Sequence, residues 1–298
     1  MLDVGGTSLK AGILSENGVL EKDEIYSFEA KAKGGREEIF RNFAQVLNVL
    51  ADKIPKENAR IEGIGMAFPG PFDYENGISL MQGLDKYDSI YGLSVPKEVG
   101  KYFPSPQKRE LLAEKYRFTF LHDIEAFAIG ECHFGEGKSC DRVMCLCMGT
   151  GAGSAFASKK RILKGEDKAP PMGWIFNTPF KESIIDDYLS VRGLAAISRK
   201  VFGEVKDGRE LFELCRENDK NALEVYEEFG GWVREAVVPF LDSFEPDGFV
   251  LGGQLSKSFA YFGRELSEEC RKRKIRICLT ADTSRRALEG LYVKMAFD

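Results

Sequence analysis

Three short glycine-bearing segments, each following or opening a strongly apolar stretch, constrain this chain more than any other feature. They are Asp3-Val4-Gly5-Gly6-Thr7-Ser8-Leu9-Lys10 at the start, Met148-Gly149-Thr150-Gly151-Ala152-Gly153 in the middle, and Val250-Leu251-Gly252-Gly253-Gln254 near the end. A phosphate needs backbone N–H groups at close range, and residues without bulky side chains let the chain turn tightly enough to offer them. Two such turns facing each other would hold a triphosphate. The first segment adds a carboxylate, Asp3, that can hold a hydrated Mg²⁺, together with the hydroxyl of Thr7 and the ammonium of Lys10, which can meet phosphate oxygens. Taken singly, each segment also reads as an ordinary turn, because Gly-Gly and Gly-x-Gly mark hairpins and none matches the Walker or dinucleotide patterns.

In joint order and spacing these segments resemble the ROK sugar-kinase family, within the actin/hexokinase/Hsp70 ATPase superfamily. Its members show an opening Asp-x-Gly-Gly-Thr, a later Gly-Thr-Gly-x-Gly and a final Gly-Gly, and the similarity runs along nearly the whole chain. The resemblance implies an α/β protein of two ribonuclease-H-like (actin-like ATPase) lobes with a central cleft. It also implies ATP and Mg²⁺ as cofactors, a sugar as small-molecule substrate and, as is common in the family, a homodimer. Nucleotide and phosphate contacts then fall to Asp3, Gly5, Gly6, Thr7, Lys10, Gly149, Thr150, Gly151, Gly252 and Gly253. The last pair would approach adenine and ribose, with Gln254 opening a helix whose N-terminus faces the nucleotide. A simple strand-to-helix turn is the plain alternative there.

At 298 residues the chain exceeds the usual size of one compact domain, so two lobes are the default expectation. The expected division is residues 1–119 with 285–298, and residues 120–284. Hydrophobic residues at 43% and charged residues at 30% describe an ordinary soluble protein, and no apolar run approaches the roughly 20 residues that cross a bilayer. A net charge of −5 argues against an unassisted nucleic-acid binder. The basic run Arg271-Lys272-Arg273-Lys274 closes an expected helix, where it complements the helix dipole. ROK repressors carry a DNA-binding segment before the first phosphate loop, whereas this sequence opens directly in that loop. No room is left for a secretory leader, and the cytoplasm is the expected location.

The seven cysteines are scattered and odd in number, which reads as reduced thiols. Cys145 and Cys147 would share one strand face, without the further ligands a structural zinc needs.

The opening reads as strand, turn, strand: Met1 to Val4, Leu9 to Leu14, then Asn17-Gly18 as a hairpin signal and a strand from Val19. Superfamily members usually carry a few more residues before the motif, so the expectation is either a clipped first strand or a misassigned start. Ile39, Phe43, Val46, Leu50 and Ile54 predict an amphipathic helix ending near Pro55. A buried strand, Ile61 to Phe68, runs into Pro69-Gly70-Pro71, a stiff turn that the resemblance places beside the sugar. A charge-rich helix is expected next, then a strand Phe118 to Leu121 leading into a helix through Glu131. Strands Val143 to Met148 and Ala152 to Ala157 repeat the opening pattern, as the internal symmetry of the superfamily requires. Helices are expected over Ile184 to Val201, Gly208 to Asn218, Lys220 to Phe244 and Arg285 to Phe297, the last returning to the first lobe. A strand is expected at Gly248 to Leu251.

Phosphoryl transfer to an alcohol needs a base for the hydroxyl proton, donors for phosphoryl charge, and exclusion of water. Asp123, at a strand-to-helix switch, is the candidate base. The string His-Asp-Ile-Glu-Ala-Phe-Ala-Ile-Gly-Glu resembles the family's Asn-Asp-Ala-Asn-Ala-Ala-Ala-Leu-Gly-Glu. Asp123 can also merely cap its helix. His122 stands where the family has a sugar-binding Asn, and Glu125 where it has the second Asn. An imidazole can still bond a sugar hydroxyl, and its charge change near pH 6.5 would make activity more pH-sensitive. His133 reads as helix surface.

At Ala169-Pro170-Pro171-Met172-Gly173-Trp174 the match is to the family's Ala-Gly-Glu-x-Gly-His. Pro171 replaces a sugar-binding glutamate, and Trp174 a histidine that serves sugar and zinc. With the cysteine cluster also missing, no zinc site is expected. Asp186 keeps an acidic group that could accept from a sugar hydroxyl, and the Trp174 indole could pack on a pyranose face or simply on the core. Losing one carboxylate acceptor costs roughly 1–3 kcal/mol of recognition, so the site would favour a substituted or larger sugar over free glucose, the expected substrate being a hexose or a β-glucoside. Beta-glucoside kinases likewise lack the zinc cluster and carry an aromatic residue in the histidine's place. The reading is an ATP-dependent sugar kinase with Gly70, His122, Asp123, Trp174 and Asp186 at the sugar. Its rival is a sugar- or nucleotide-binding regulator of the same fold with weak catalysis. A chaperone-like or filament ATPase fails on size.

Overall fold

The computed structural model describes residues 1–54 and 59–297. They divide into two compact units, Met1–Gly130 with the C-terminal residues from Ser284 on, and Glu131–Thr283. The division falls after Gly130, so Asp123 belongs to the first unit.

The first unit is built on strands β1 (Leu2–Val4), β2 (Ser8–Ala11), β3 (Tyr26–Glu29) and β4 (Ile61–Phe68), the two-residue strands β5 (Phe72–Asp73) and β6 (Ile78–Ser79), and β7 (Leu112–His122). Its main sheet has the order β3-β2-β1-β4-β7. β1, β2 and β3 form an antiparallel meander, while β4 lies parallel to β1, and β7 parallel to β4. Alternation along β1 and β2 buries Leu2, Val4, Leu9 and Ala11 on one face and leaves Asp3 paired with Lys10 on the other, as a period of two requires.

Helix α1 (Arg36–Ala51) covers the apolar face with Ile39, Phe40, Phe43, Val46, Leu47 and Leu50. Each such fully buried side chain contributes roughly 1.5–3 kcal/mol. The helix ends at Ala51, and Pro55, expected to stop it, lies outside the described residues. Phe43, Phe68, Phe72 and Tyr87 pack as a ring cluster, with Phe68 and Tyr87 centroids 5.3 Å apart.

Two expectations need correction here. Asn17-Gly18 does make a tight turn, with Gly18 N–H donating to Ser15 O, but only an isolated bridge, Leu14 to Leu20, follows it. Val19 is exposed, and left-handed backbone at Lys22 and Asp23 interrupts extension until β3. The charge-rich stretch before Phe118 holds only the short helix α2 (Val95–Val99) and a 3₁₀ turn, and from Leu112 it is already strand. β7 is an edge strand, where outward Glu114, Lys115 and Arg117 stay solvated and guard against mispairing.

Helix α3 (Asp123–His133) continues directly from β7. In the second unit, β8 (Arg142–Met148), β9 (Ala152–Ser158) and β10 (Arg161–Leu163) form another antiparallel meander. After the short pair β11 (Pro179–Phe180) and β12 (Ser183–Ile184) come helices α4 (Ile185–Tyr188), α5 (Val191–Phe202), α6 (Gly208–Arg216) and α7 (Lys220–Phe244). Strand β13 (Gly248–Gly252), helices α8 (Phe259–Phe262) and α9 (Arg264–Lys272), strand β14 (Arg276–Leu279) and helix α10 (Thr283–Phe297) complete the chain. The sheet order β10-β9-β8-β13-β14, with β13 and β14 parallel to β8, repeats the first sheet strand for strand. This duplicated meander-plus-two-parallel-strands sheet is the ribonuclease-H-like arrangement. Side chains of α5, α6, α7 and α9 fill the second core, including Leu194, Ile197, Leu211, Phe229, Val233 and Leu266.

Within the first unit, α3 and α10 touch backbone to backbone. A Cβ on Gly290 would lie 1.8 Å from Ala126 O, and one on Gly130 would lie 1.9 Å from Arg286 O.

Candidate active site

The first glycine segment is a closed turn. Gly5 N–H donates to Ser8 O at 3.1 Å, and a Cβ on Gly5 would sit 2.8 Å from that oxygen, which is the reason for glycine there. Gly6 and Thr7 are exposed beyond it, while Thr7 O accepts from Ala30 N–H. Tyr87, wholly buried, donates its hydroxyl to Gly5 O at 2.8 Å. Burial, and then the charge of Asp3, raise the Tyr87 pKa. Asp3, at the strand end beside the turn, accepts from Ser284 Oγ at 2.7 Å. Mg²⁺ is commonly held by one or two carboxylates together with substrate phosphates and water; Asp3 beside a phosphate-type turn fits that donor set. Lys10, directly across from Asp3, donates to Ser27 Oγ on β3 at 2.9 Å, so its ammonium runs along the sheet.

The same unit carries Gly70, His122 and Asp123. Asp123 opens α3, and its Oδ1 accepts from Ile124 N–H at 2.7 Å and lies 2.9 Å from His122 Nδ1. The side chain keeps 45% of its surface in solvent. Desolvation pushes the Asp123 pKa up, but the His122 bond and charge, the Ile124 N–H and the Lys86 charge outweigh it and hold the carboxyl below its usual value. Ionised Asp123 therefore favours the folded state at neutral pH, and that contribution is lost as pH falls through its folded value. Gly70 leaves room for His122, whose Cδ2 and Nε2 lie 3.4 Å from where a Cβ on Gly70 would be. Tyr74 stacks obliquely on His122 at 5.9 Å and donates to Phe68 O. Its pKa is raised by burial and then by the charges of Asp123 and Glu125.

In the second unit the two later glycine segments meet at the ends of β8 and β13. Gly149 N–H donates to Gly151 O at 2.9 Å. Gly253, at φ +84°, lies so close to the end of β8 that a Cβ would sit 2.3 Å from Met148 O, and its N–H donates to Thr283 Oγ1. Gln254 precedes a 3₁₀ turn, Leu255–Ser258, rather than a full helix.

Asp186 is drawn to this turn. Its Oδ1 accepts from Ala152 N–H at 2.6 Å, Arg192 bonds its other oxygen, and Arg192 Nη1 also donates to Thr150 O at 2.8 Å. Asp186 N–H in turn donates to Phe176 O, which ties the Trp174 segment to the same place. Trp174 is half-buried, 5.6 Å from the Phe176 ring. With Pro170, Pro171, Met172 and Phe240 it lines a cavity of about 680 Å³.

All seven cysteines are free. Burial raises Cys132 to about 12 and Cys215 and Cys270 to about 11, so these three are neutral thiols at pH 7. Among the described residues no group of three or more His, Cys, Asp or Glu is placed to hold a metal ion. Likewise, no described helix is long and apolar enough to cross a membrane. Tyr74, Lys86, Tyr87, Arg192 and Ser284 escaped the sequence reading, because each reaches its site through a long-range contact that no local motif announces.

Two such sheets, each presenting glycine turns at strand ends, define an actin-like ATPase fold, and comparison with known proteins supports this. The glucokinase of Streptomyces griseus, solved with glucose and AMPPNP, superposes with a TM-score of 0.70 at 17% identity, covering 98% of this chain and 97% of that one. The chain belongs to the ROK family, whose model matches residues 1–282. It is 24% identical over 280 residues to the glucokinase of Thermotoga maritima, covering 86% of this chain and 82% of the relative. Against the N-acetyl-D-glucosamine kinase of Aliivibrio fischeri it is 26% identical over 276 residues, covering 85% and 83%.

Proposed function

We propose that this chain phosphorylates a sugar hydroxyl with ATP, with Asp123 as general base. One observation carries the reading: an aspartate at a strand-to-helix junction is kept ionised by its neighbours while nearly half its side chain stays open. A base must be charged at working pH and reachable by the proton it accepts. In the reaction Asp123 takes the hydroxyl proton as the sugar oxygen attacks the γ-phosphorus. His122 fixes the carboxylate and, with its neighbour Gly70, borders the sugar. The turns at Gly5–Thr7 and Gly149–Gly151 offer N–H groups to the phosphates, Gly252–Gly253 lets the backbone approach adenine and ribose, and Lys10 is a further phosphate donor. Asp3 would hold hydrated Mg²⁺, which neutralises phosphate charge when bound.

The relatives' names support a hexose or an amino sugar as acceptor. Pro171 and Trp174, where the resemblance places glutamate and histidine, favour a substituted ring or β-glucoside that stacks on the indole. The family resemblance also supports a homodimer, which light scattering reads directly.

The test is sugar-dependent ADP release across glucose, N-acetylglucosamine and β-glucosides. Turnover on at least one of them supports the reading. Nucleotide binding without turnover on any would favour a regulator of the same fold.

Asp186 allows a sharper separation of roles. If it contacts only sugar, Asp186→Ala raises the sugar KM and leaves nucleotide affinity intact. Because its carboxylate holds Ala152 N–H and Arg192, we expect nucleotide Kd to rise as well, by roughly tenfold, the scale of losing a charge-assisted hydrogen bond. Calorimetry with ADP reads this, and an unchanged Kd would return Asp186 to the sugar alone.

A further inference from the structure

The loop before Tyr87 is fixed on the first glycine turn. Tyr87 is wholly buried and bonds Gly5 O, its N–H donates to Ala32 O, and Leu84 N–H is held by Asp88. Lys86 is thereby placed over the turn, with Cδ 3.5 Å from where a Cβ on Gly6 would stand. Its charge also reaches Asp123. Lys86 is half-buried, yet among the described residues it makes no hydrogen bond or ion pair. A long cationic side chain in that state normally seeks an anion or extends to water. A half-buried cation therefore lies over a turn built to receive phosphate, and its charge acts on the carboxylate that would receive the proton.

The group that must pass between those two places is the transferred phosphoryl. We propose that Lys86 binds the γ-phosphoryl group of the nucleotide and carries its charge during transfer, an inference that rests on the kinase reading above. As the sugar oxygen forms its bond to the γ-phosphorus, the bond to the β,γ-bridging oxygen breaks and the electron pair leaves with ADP. The hydroxyl proton passes to Asp123, and Lys86 stays protonated throughout. Preplaced cations of this kind act where transition-state charge develops.

The experiment compares Lys86→Met and Lys86→Arg in the full chain. Calorimetry with AMPPNP and with ADP, both with Mg²⁺, isolates the γ-phosphate contact. Lys86→Met is expected to weaken AMPPNP roughly tenfold or more while ADP binds as before, and to lower kcat by roughly 10²-fold, the scale of losing one charge-stabilising donor. Lys86→Arg should recover part of both. Equal weakening of the two nucleotides, or no change in either, would overturn the assignment. Full turnover in Asp123→Asn would instead overturn the base assignment, and the nucleotide pair would still decide the role of Lys86.

Discussion

Asp123→Asn is expected to lower kcat by roughly 10²–10⁴-fold, the usual contribution of a positioned general base, with nucleotide affinity largely unchanged. The substitution is nearly isosteric. The asparagine oxygen can still accept from Ile124 N–H, which now bonds Oδ1, so the local fold should survive. What disappears is the capacity to take a proton. Steady-state kinetics with calorimetry on the same preparation separates the two. A variant that binds ATP and turns over normally would remove Asp123 from the chemistry and leave it the role of helix cap. In the wild type, the neighbours that hold Asp123 low predict that the acidic limb of kcat/KM falls below the ordinary aspartate value of about 3.9. A limb governed by this group near pH 6 would contradict that environment.

Gly290→Ala is expected to destabilise the first unit by about 3 kcal/mol or more, the upper range for overpacking a close contact. That corresponds to a fall in Tm of about 6–12 °C at the usual slope for large domains. The new methyl would lie 1.8 Å from Ala126 O and 3.0 Å from Gly130 N, both backbone atoms that no rotamer change can move. The sign is diagnostic. In an uncrowded helix the same change stabilises by roughly 0.5–1 kcal/mol, so a raised Tm would show that α3 and α10 do not approach this closely.

Much of the chain was legible because its signals are local. The glycine turns, the buried strand Ile61 to Phe68 and helix α7 over Lys220–Phe244 each carry their pattern within a few residues, and the matching turns announced a duplicated sheet. Where the reading failed, tertiary context decided. The charged residues ahead of Phe118 look helical in isolation, yet at an edge they extend β7 to Leu112. Val19 has strand propensity, yet beside it only Leu20 pairs, through a single bridge to Leu14.

The candidate site divides in the same way. The strand-to-helix position of Asp123 was visible from its string, and the turn at Gly5 from its glycines. Tyr87 on Gly5, Lys86 over Gly6 and Ser284 on Asp3 are separated from their partners by tens to hundreds of residues. No spacing rule finds them. Asp186 was seen as an acid, but its bonds to Ala152 and Arg192 depend on how α4 and α5 meet the second glycine turn.

The central claim is that the Asp123 carboxylate receives the proton of a sugar hydroxyl aimed at the γ-phosphorus. A crystal structure with Mg²⁺, AMPPNP and the best sugar substrate tests it most directly. The account predicts an Asp123 oxygen within about 2.6–3.2 Å of one sugar hydroxyl, with that hydroxyl in line with the terminal phosphorus. An Asp123 side chain turned to bulk water, or a terminal phosphate bound away from the Gly5–Thr7 turn, would contradict it.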